Sequence, residues 1–182
     1  MTDLVGRENE IELEDILSGV DKLIADGIAD PERIAVAGWS NGGYLTNCLI
    51  AKTDRFKAAS SGAGIVDVTM EWGTNDEPAF PMNFNRGTPW EVPESYRRAS
   101  PIFKFGKVRT PTLFHVGEND LRCPRGQTDT AHRALKEFLN VETELLVYPG
   151  EEHGLDSYSN CRAKLTWELA WFDHFVKGKP KQ

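Results

Sequence analysis

A short apolar run, Ile34-Ala35-Val36-Ala37, leads directly into Gly38-Trp39-Ser40-Asn41-Gly42-Gly43. The run has the pattern of a parallel strand buried on both faces. It ends in a Gly-x-Ser-x-Gly turn, with a helix opening at Asn41. A serine at the tip of so sharp a strand-to-helix turn is forced into a strained backbone conformation. The residues two before and two after it crowd each other, so both must be glycine or nearly as small. Gly38 and Gly42 meet that demand. The strain lifts the Ser40 hydroxyl out of the end of the sheet. It also aims the backbone N–H of Asn41, at a helix N-terminus, toward the place where an oxyanion would form. Ser40 is therefore a candidate nucleophile and Asn41 a candidate oxyanion donor.

The remaining elements follow from periodicity. Residues 10–26 predict an amphipathic helix with Leu13, Ile16, Leu17, Val20 and Ile24 on one face, stopped at Gly27 and followed by an Asp30-Pro31 turn. Residues 41–51 predict a helix with Tyr44, Leu45, Cys48 and Leu49 inward. Strands are expected within 56–66, at 112–116 and at 144–148, and a helix at 127–139. A last helix, capped by Asn160, runs to about Lys177 with Leu165, Leu169, Phe172 and Val176 inward. Alternation of this kind predicts an α/β fold, an open parallel sheet with helices on both faces. Sites in such sheets lie at the carboxyl ends of the strands.

Between Val66 and Thr110 the sequence shows little periodicity but many aromatic and proline residues, Trp72, Phe80, Trp90 and Tyr96 among them. That content argues against disorder and for a packed flap that can line a substrate pocket. Gly62-Ala63-Gly64 with Asp67 is only a partial dinucleotide fingerprint. No helix clearly starts there, so the pattern is set aside.

A serine hydroxyl is a poor nucleophile until a base takes its proton, and the base is normally a histidine oriented by a carboxylate. When the three follow in the order serine, acid, histidine, each comes after a strand. Of the four histidines, His115 falls within a strand and His132 and His174 fall on helices. His153, in Tyr148-Pro149-Gly150-Glu151-Glu152-His153-Gly154, comes just past the last strand. The acid must come after the strand before it. Asp120 does so in Gly117-Glu118-Asn119-Asp120, where Glu118 competes but sits nearer the strand end and is expected to face away. Asp156 lies after the histidine, in the wrong order. Glu151 and Glu152 read as solvated loop charges. Arg122, two residues beyond Asp120, can reach the mouth of the site with a planar donor fork, or else forms a surface ion pair.

Composition excludes some partners. The chain has 182 residues and a net charge of -7, which argues against nucleic acid, and no basic cluster is large enough to overturn that. No apolar run approaches membrane-spanning length, and Met1-Thr2-Asp3 does not open a signal peptide. A cytoplasmic protein is expected, and Cys48, Cys123 and Cys161 read as free thiols, with a Cys123–Cys161 bridge left open. There is no paired-cysteine motif and no His-Glu-x-x-His, so neither a metal nor a cofactor is expected.

Several markers together resemble the catalytic domain of the prolyl oligopeptidase family, which includes acylaminoacyl and dipeptidyl peptidases. They are Gly27-Ile28-Ala29-Asp30-Pro31-Glu32-Arg33-Ile34, Gly38-Trp39-Ser40-Asn41-Gly42-Gly43-Tyr44, Tyr96-Arg97-Arg98-Ala99-Ser100-Pro101, Gly117-Glu118-Asn119-Asp120-Leu121-Arg122-Cys123-Pro124, and Tyr148-Pro149-Gly150 through His153-Gly154. The resemblance implies an α/β-hydrolase fold and acyl transfer to water, with nucleophile Ser40, acid Asp120 and base His153. It also implies a carbonyl-binding role for Arg122 and a pocket lined from the Val66–Trp72 region, Trp72 included. Family catalytic domains have further strands before the helix that opens this chain, so residues 1–182 are expected to be one N-terminally incomplete domain. The absent part carries the second oxyanion donor, often a tyrosine hydroxyl. Loss of one such donor costs on the order of 100- to 1000-fold in turnover. The substrate-filtering propeller of many members is not expected in this chain either. The serine strand, central in the family, becomes an edge that invites pairing with a second copy or with a chain supplying the rest. Short-chain or activated esters, which need less transition-state help than peptides, are the expected substrates. The alternative is a peptidase-domain piece that is latent alone.

Overall fold

The computed structural model describes residues 4–181; the Met1-Thr2-Asp3 start lies outside them. Helix α1 spans Ile11–Ala25, strand β1 Ala35–Trp39, helix α2 Asn41–Lys52 and strand β2 Ala58–Gly62. After three short helices, α3 Val68–Thr74, α4 Ala79–Asn85 and α5 Pro93–Ala99, a 3₁₀ segment covers Pro101–Lys107. Strand β3 is Thr112–Gly117, α6 is Arg125–Arg133 with a π turn over Ala134–Phe138, β4 is Thr143–Tyr148 and α7 is Tyr158–Phe175. The four strands pair in parallel in the order β1-β2-β3-β4, with Ala37 opposite Ser60 and His115 opposite Leu146. Strand β1 has one neighbour, β2, among the described residues.

Strand alternation sorts the sheet into two faces. Val36, Ala59, Phe114 and Leu145 point to the side covered by α2 and α6, where Ile50, Ala131 and Leu135 complete the core. Ala35, Ala58, Leu113 and Leu146 point the other way, against Trp171, Phe172 and Phe175 of α7. Helix α1 packs through Leu13, Ile16, Leu17 and Val20 beside Tyr44 and Leu49.

Two sequence expectations are corrected. The aperiodic segment holds three short helices, each too brief for a 3.6-residue period to show. Helix α3 does start after the Gly-Ala-Gly run: the Asp67 carboxylate caps it by accepting the N–H groups of Thr69 (2.8 Å) and Met70 (3.1 Å). The second correction concerns α7. Leu165 and Leu169 are exposed (56% and 64%), whereas Trp171 is buried. The stripe that meets the sheet runs through Lys164, Glu168, Trp171 and Phe175. Lys164 pairs with Glu168 at 2.8 Å, and Glu168 accepts the Ser60 hydroxyl at 2.6 Å. A polar pair on the inward face is invisible to hydrophobic periodicity. Asn160 does not cap this helix either: Ser157 precedes it, and the Asn160 amide instead donates to Glu151 at 2.7 Å.

Candidate active site

Ser40 joins β1 to α2 with φ 60° and ψ −121°, the strained backbone the turn demands. A Cβ on Gly38 would collide with the backbone carbonyl of Gly42, whereas one on Gly42 would meet nothing. The crowding therefore acts on Gly38 alone. Asn41 is the first residue of α2, where helical N–H groups have no acceptor within the helix, and it lies on the wall of the cavity that holds Ser40.

Asp120 and His153 come from the loops after β3 and β4. The Asp120 Oδ1 accepts the backbone N–H groups of Arg122 (2.9 Å) and Cys123 (2.8 Å). The same carboxylate lies 2.9 Å (Oδ2) and 3.2 Å (Oδ1) from His153 Nδ1. An ionised carboxylate only accepts, so Nδ1 carries the proton and Nε2 presents a lone pair. That lone pair faces the Ser40 hydroxyl at 2.8 Å. The indole of Trp39, one residue before the serine, donates to the His153 carbonyl at 2.9 Å and ties the histidine loop to the serine turn. A Cβ on Gly117 would strike the Glu152 carbonyl, so glycine there lets the two loops meet.

Glu151 is not a solvated charge. It is buried and accepts from the N–H of Asp156 (2.7 Å), the N–H of Ser157 (3.0 Å) and the Asn160 amide. These donors hold its carboxyl below the usual carboxylate range, the Asn160 amide most. A lowered native pKa means the stabilisation is present above the ordinary carboxylate pKa and fades as pH falls through the native value. Urea unfolding of Glu151→Gln is expected to show a lower midpoint at pH 7, with the gap to the parent chain closing in acid. Glu118 faces away, as expected, accepting the Gly150 N–H at 2.9 Å.

Arg122 lines the cavity mouth, with its fork engaged by Asp76 (2.6 and 3.2 Å) and Glu77 (3.5 Å). The surface ion-pair alternative is thus the arrangement present. Trp72 does not line the cavity. It packs edge-on against Trp90, ring centroids 5.3 Å apart, while its neighbours Val68, Glu71 and Asn75 form the wall. A one-residue step on α3 rotates a side chain by about 100°, which separates Glu71 from Trp72. Cys123 also lies against the cavity, where burial pushes its thiol up, and all three cysteines are free.

The cavity has a volume of about 210 Å³, and three acidic residues that sequence reading missed line it: Glu8, Glu71 and Glu77, the last paired with Arg122. Burial raises Glu71 to about 7, with Asp120 adding to the rise and the Asn75 amide and His153 opposing it. Burial likewise raises Glu8 to about 7, with Glu12 adding to it. Neither residue stands in a pattern that marks a site in the sequence. Among the described residues, no group of histidine, cysteine and acidic side chains is arranged to hold a metal, and no helix is long and apolar enough to cross a membrane.

A strained serine turn facing a histidine–aspartate pair at the carboxyl edge of a parallel sheet defines the α/β-hydrolase class of serine hydrolases. The chain belongs to the prolyl oligopeptidase family, whose profile matches residues 3–179. It is 35% identical to the acylamino-acid-releasing enzyme of Arabidopsis thaliana over 96% of this chain and 24% of that protein. It is 32% identical to the uncharacterized peptidase YuxL of Bacillus subtilis, over 90% of this chain and 25% of that one. The acylaminoacyl peptidase of Pyrococcus horikoshii superposes with a TM-score of 0.89 at 28% identity, covering 99% of this chain and 30% of that structure. A puromycin-hydrolyzing peptidase of Mycobacterium tuberculosis superposes at 0.91, again with 28% identity, covering 99% and 27%. The chain thus spans about a quarter of the length of the curated relatives it matches.

Proposed function

We propose that the chain is a serine hydrolase of the Ser-His-Asp type that cleaves short-chain or activated carboxylic esters. The continuous hydrogen-bond line Asp120–His153–Ser40 carries this reading. Ser40 attacks the carbonyl carbon as its proton passes to His153 Nε2, Asp120 holds the imidazole, and the Asn41 N–H receives the oxyanion. His153 then protonates the leaving alkoxide. Water, deprotonated by the same nitrogen, releases the acid and regenerates Ser40. Esters suit a site with one backbone oxyanion donor because their leaving groups demand less stabilisation than amides. Ile65 and Phe80 line the cavity beside Ser40, together with the ion-paired Arg122.

The second reading is an acylaminoacyl- or dipeptidyl-peptidase domain part, favoured by the names of the relatives and by the share of their length that this chain covers. In that reading residues 1–182 are an incomplete catalytic domain, latent without its remaining strands. Initial rates on p-nitrophenyl butyrate and N-acetyl-alanine p-nitroanilide separate the two. Ester turnover without anilide turnover supports the first, turnover of both supports a peptidase, and turnover of neither supports latency. The three thiols fit a reducing compartment, in keeping with a cytoplasmic protein.

We also infer that β1 pairs with another strand, from a second copy or from a chain that completes the sheet. Its outer edge is unpaired among the described residues, and Leu165 and Leu169 stand exposed on α7. Sedimentation velocity at micromolar concentration is expected to show a dimer or larger species; a monomer throughout would refute self-pairing.

A further inference from the structure

We propose that Glu71 binds a cationic group on the substrate, a guanidinium or an ammonium, so that the cavity beside Ser40 selects a basic side chain over a neutral one of the same shape. The inference rests on the hydrolase reading and adds a substrate class to it.

Glu71 is 4% exposed, and its Oε1 accepts the Asn75 amide at 2.9 Å. Its Oε2 is buried with no hydrogen-bond partner among the described residues. A buried carboxylate oxygen without a donor is costly, and one in a cavity wall calls for a ligand that supplies the donor. The proton shuttle does not use it: Asp120 alone holds His153. Glu8 adds a second carboxylate to the same cavity from the segment before α1.

The charge on the wall is one-sided. Arg122 is the one permanently cationic side chain among the described residues that line it, and Asp76 and Glu77 already occupy its donors. Two acidic residues of the wall, Glu71 and Glu8, thus have no counter-ion of their own. Burial keeps both of them partly protonated near neutrality, and an arriving cation would draw them into the ionised form. Ile65, Val68 and Phe80 supply apolar wall for the methylene stem of a lysyl or arginyl group. A charge-assisted hydrogen bond at the end of such a stem is among the stronger contacts a pocket can offer.

The selectivity carries its own pH dependence. Facing Glu71 are Asp76 on the same helix end, Glu8 from the N-terminal segment, Asp120 and Cys123 from the loop after β3, and His153 from the loop after β4. With Glu71 at about 7 in the empty cavity, preference for a cation grows as pH rises from about 6 to about 8. Comparing two substrates as a ratio cancels the pH dependence of the chemical step that both share.

The test uses benzyloxycarbonyl thiobenzyl esters of arginine and of its neutral isostere citrulline, together with benzamidine and benzamide as binding probes for Ser40→Ala. The expected arginine-to-citrulline ratio of kcat/KM is about 10 or more at pH 8, smaller at pH 6, and within about 3-fold of unity in Glu71→Gln. Turnover of both esters with no arginine preference overturns the inference and leaves the hydrolase reading standing. If neither ester is cleaved, the hydrolase reading of the lone chain fails and binding decides. Benzamidine held about 10-fold more tightly than benzamide by Ser40→Ala, with the difference lost when Glu71→Gln is added, supports the cation site. Equal binding of the two probes overturns it. Glu71→Asp, which keeps the charge, is expected to retain part of the preference if Gln misfolds.

Discussion

Replacing Ser40 by alanine is expected to lower p-nitrophenyl butyrate hydrolysis by ~10³- to 10⁴-fold, to the background of the protein surface. A complete serine triad is worth ~10⁶ in turnover. The proposed mechanism uses the Asn41 N–H as its oxyanion donor, and setting aside ~10² to 10³ for a second donor leaves the smaller figure. Ser40 is held at φ 60° by the turn itself, through the close approach of Gly38 to Gly42. Alanine keeps that backbone and loses only the oxygen, so the fold is retained, and circular dichroism of the two proteins checks it. A fall of less than about tenfold would mean that Ser40 does not carry the reaction.

The second large effect is at Asp120. Asp120→Asn is expected to cost about 10³- to 10⁴-fold in kcat with little change in stability. Asparagine can place its carbonyl oxygen where Oδ1 accepts the N–H groups of Arg122 and Cys123. Its NH₂ then faces His153 Nδ1, which must accept rather than donate. The imidazole proton moves to Nε2 and points at the Ser40 hydroxyl, so the base has no lone pair where one is needed. Urea unfolding beside the kinetic assay separates this tautomer effect from loss of structure. Unchanged kcat would show that His153 is oriented by something other than Asp120.

These two residues were legible in the sequence because their demands are local. The strand–glycine–serine–helix pattern at 34–43 fixes a backbone geometry, and the order serine, acid, histidine fixes which strand ends to inspect. The same is true of the parallel sheet, which is implied by apolar runs separated by helices. What the sequence did not reveal depends on three-dimensional neighbours. The inward face of α7 is set by Lys164 and Glu168, a polar pair that satisfies Ser60 and leaves Leu165 and Leu169 outside. Glu151 looks like a loop charge until the start of α7 folds back onto it. Glu71 and Trp72 are adjacent, and only helix rotation decides that Glu71, not Trp72, lines the cavity.

Every step of the proposed reaction needs Ser40 to be an activated nucleophile, and sulfonylation by phenylmethylsulfonyl fluoride reads that property directly. Intact mass and then peptide mapping are expected to find one adduct, on the peptide carrying Ser40, formed by the parent chain and not by His153→Ala. An adduct on Cys123 or elsewhere, or equal labelling of Ser40 without His153, would contradict it.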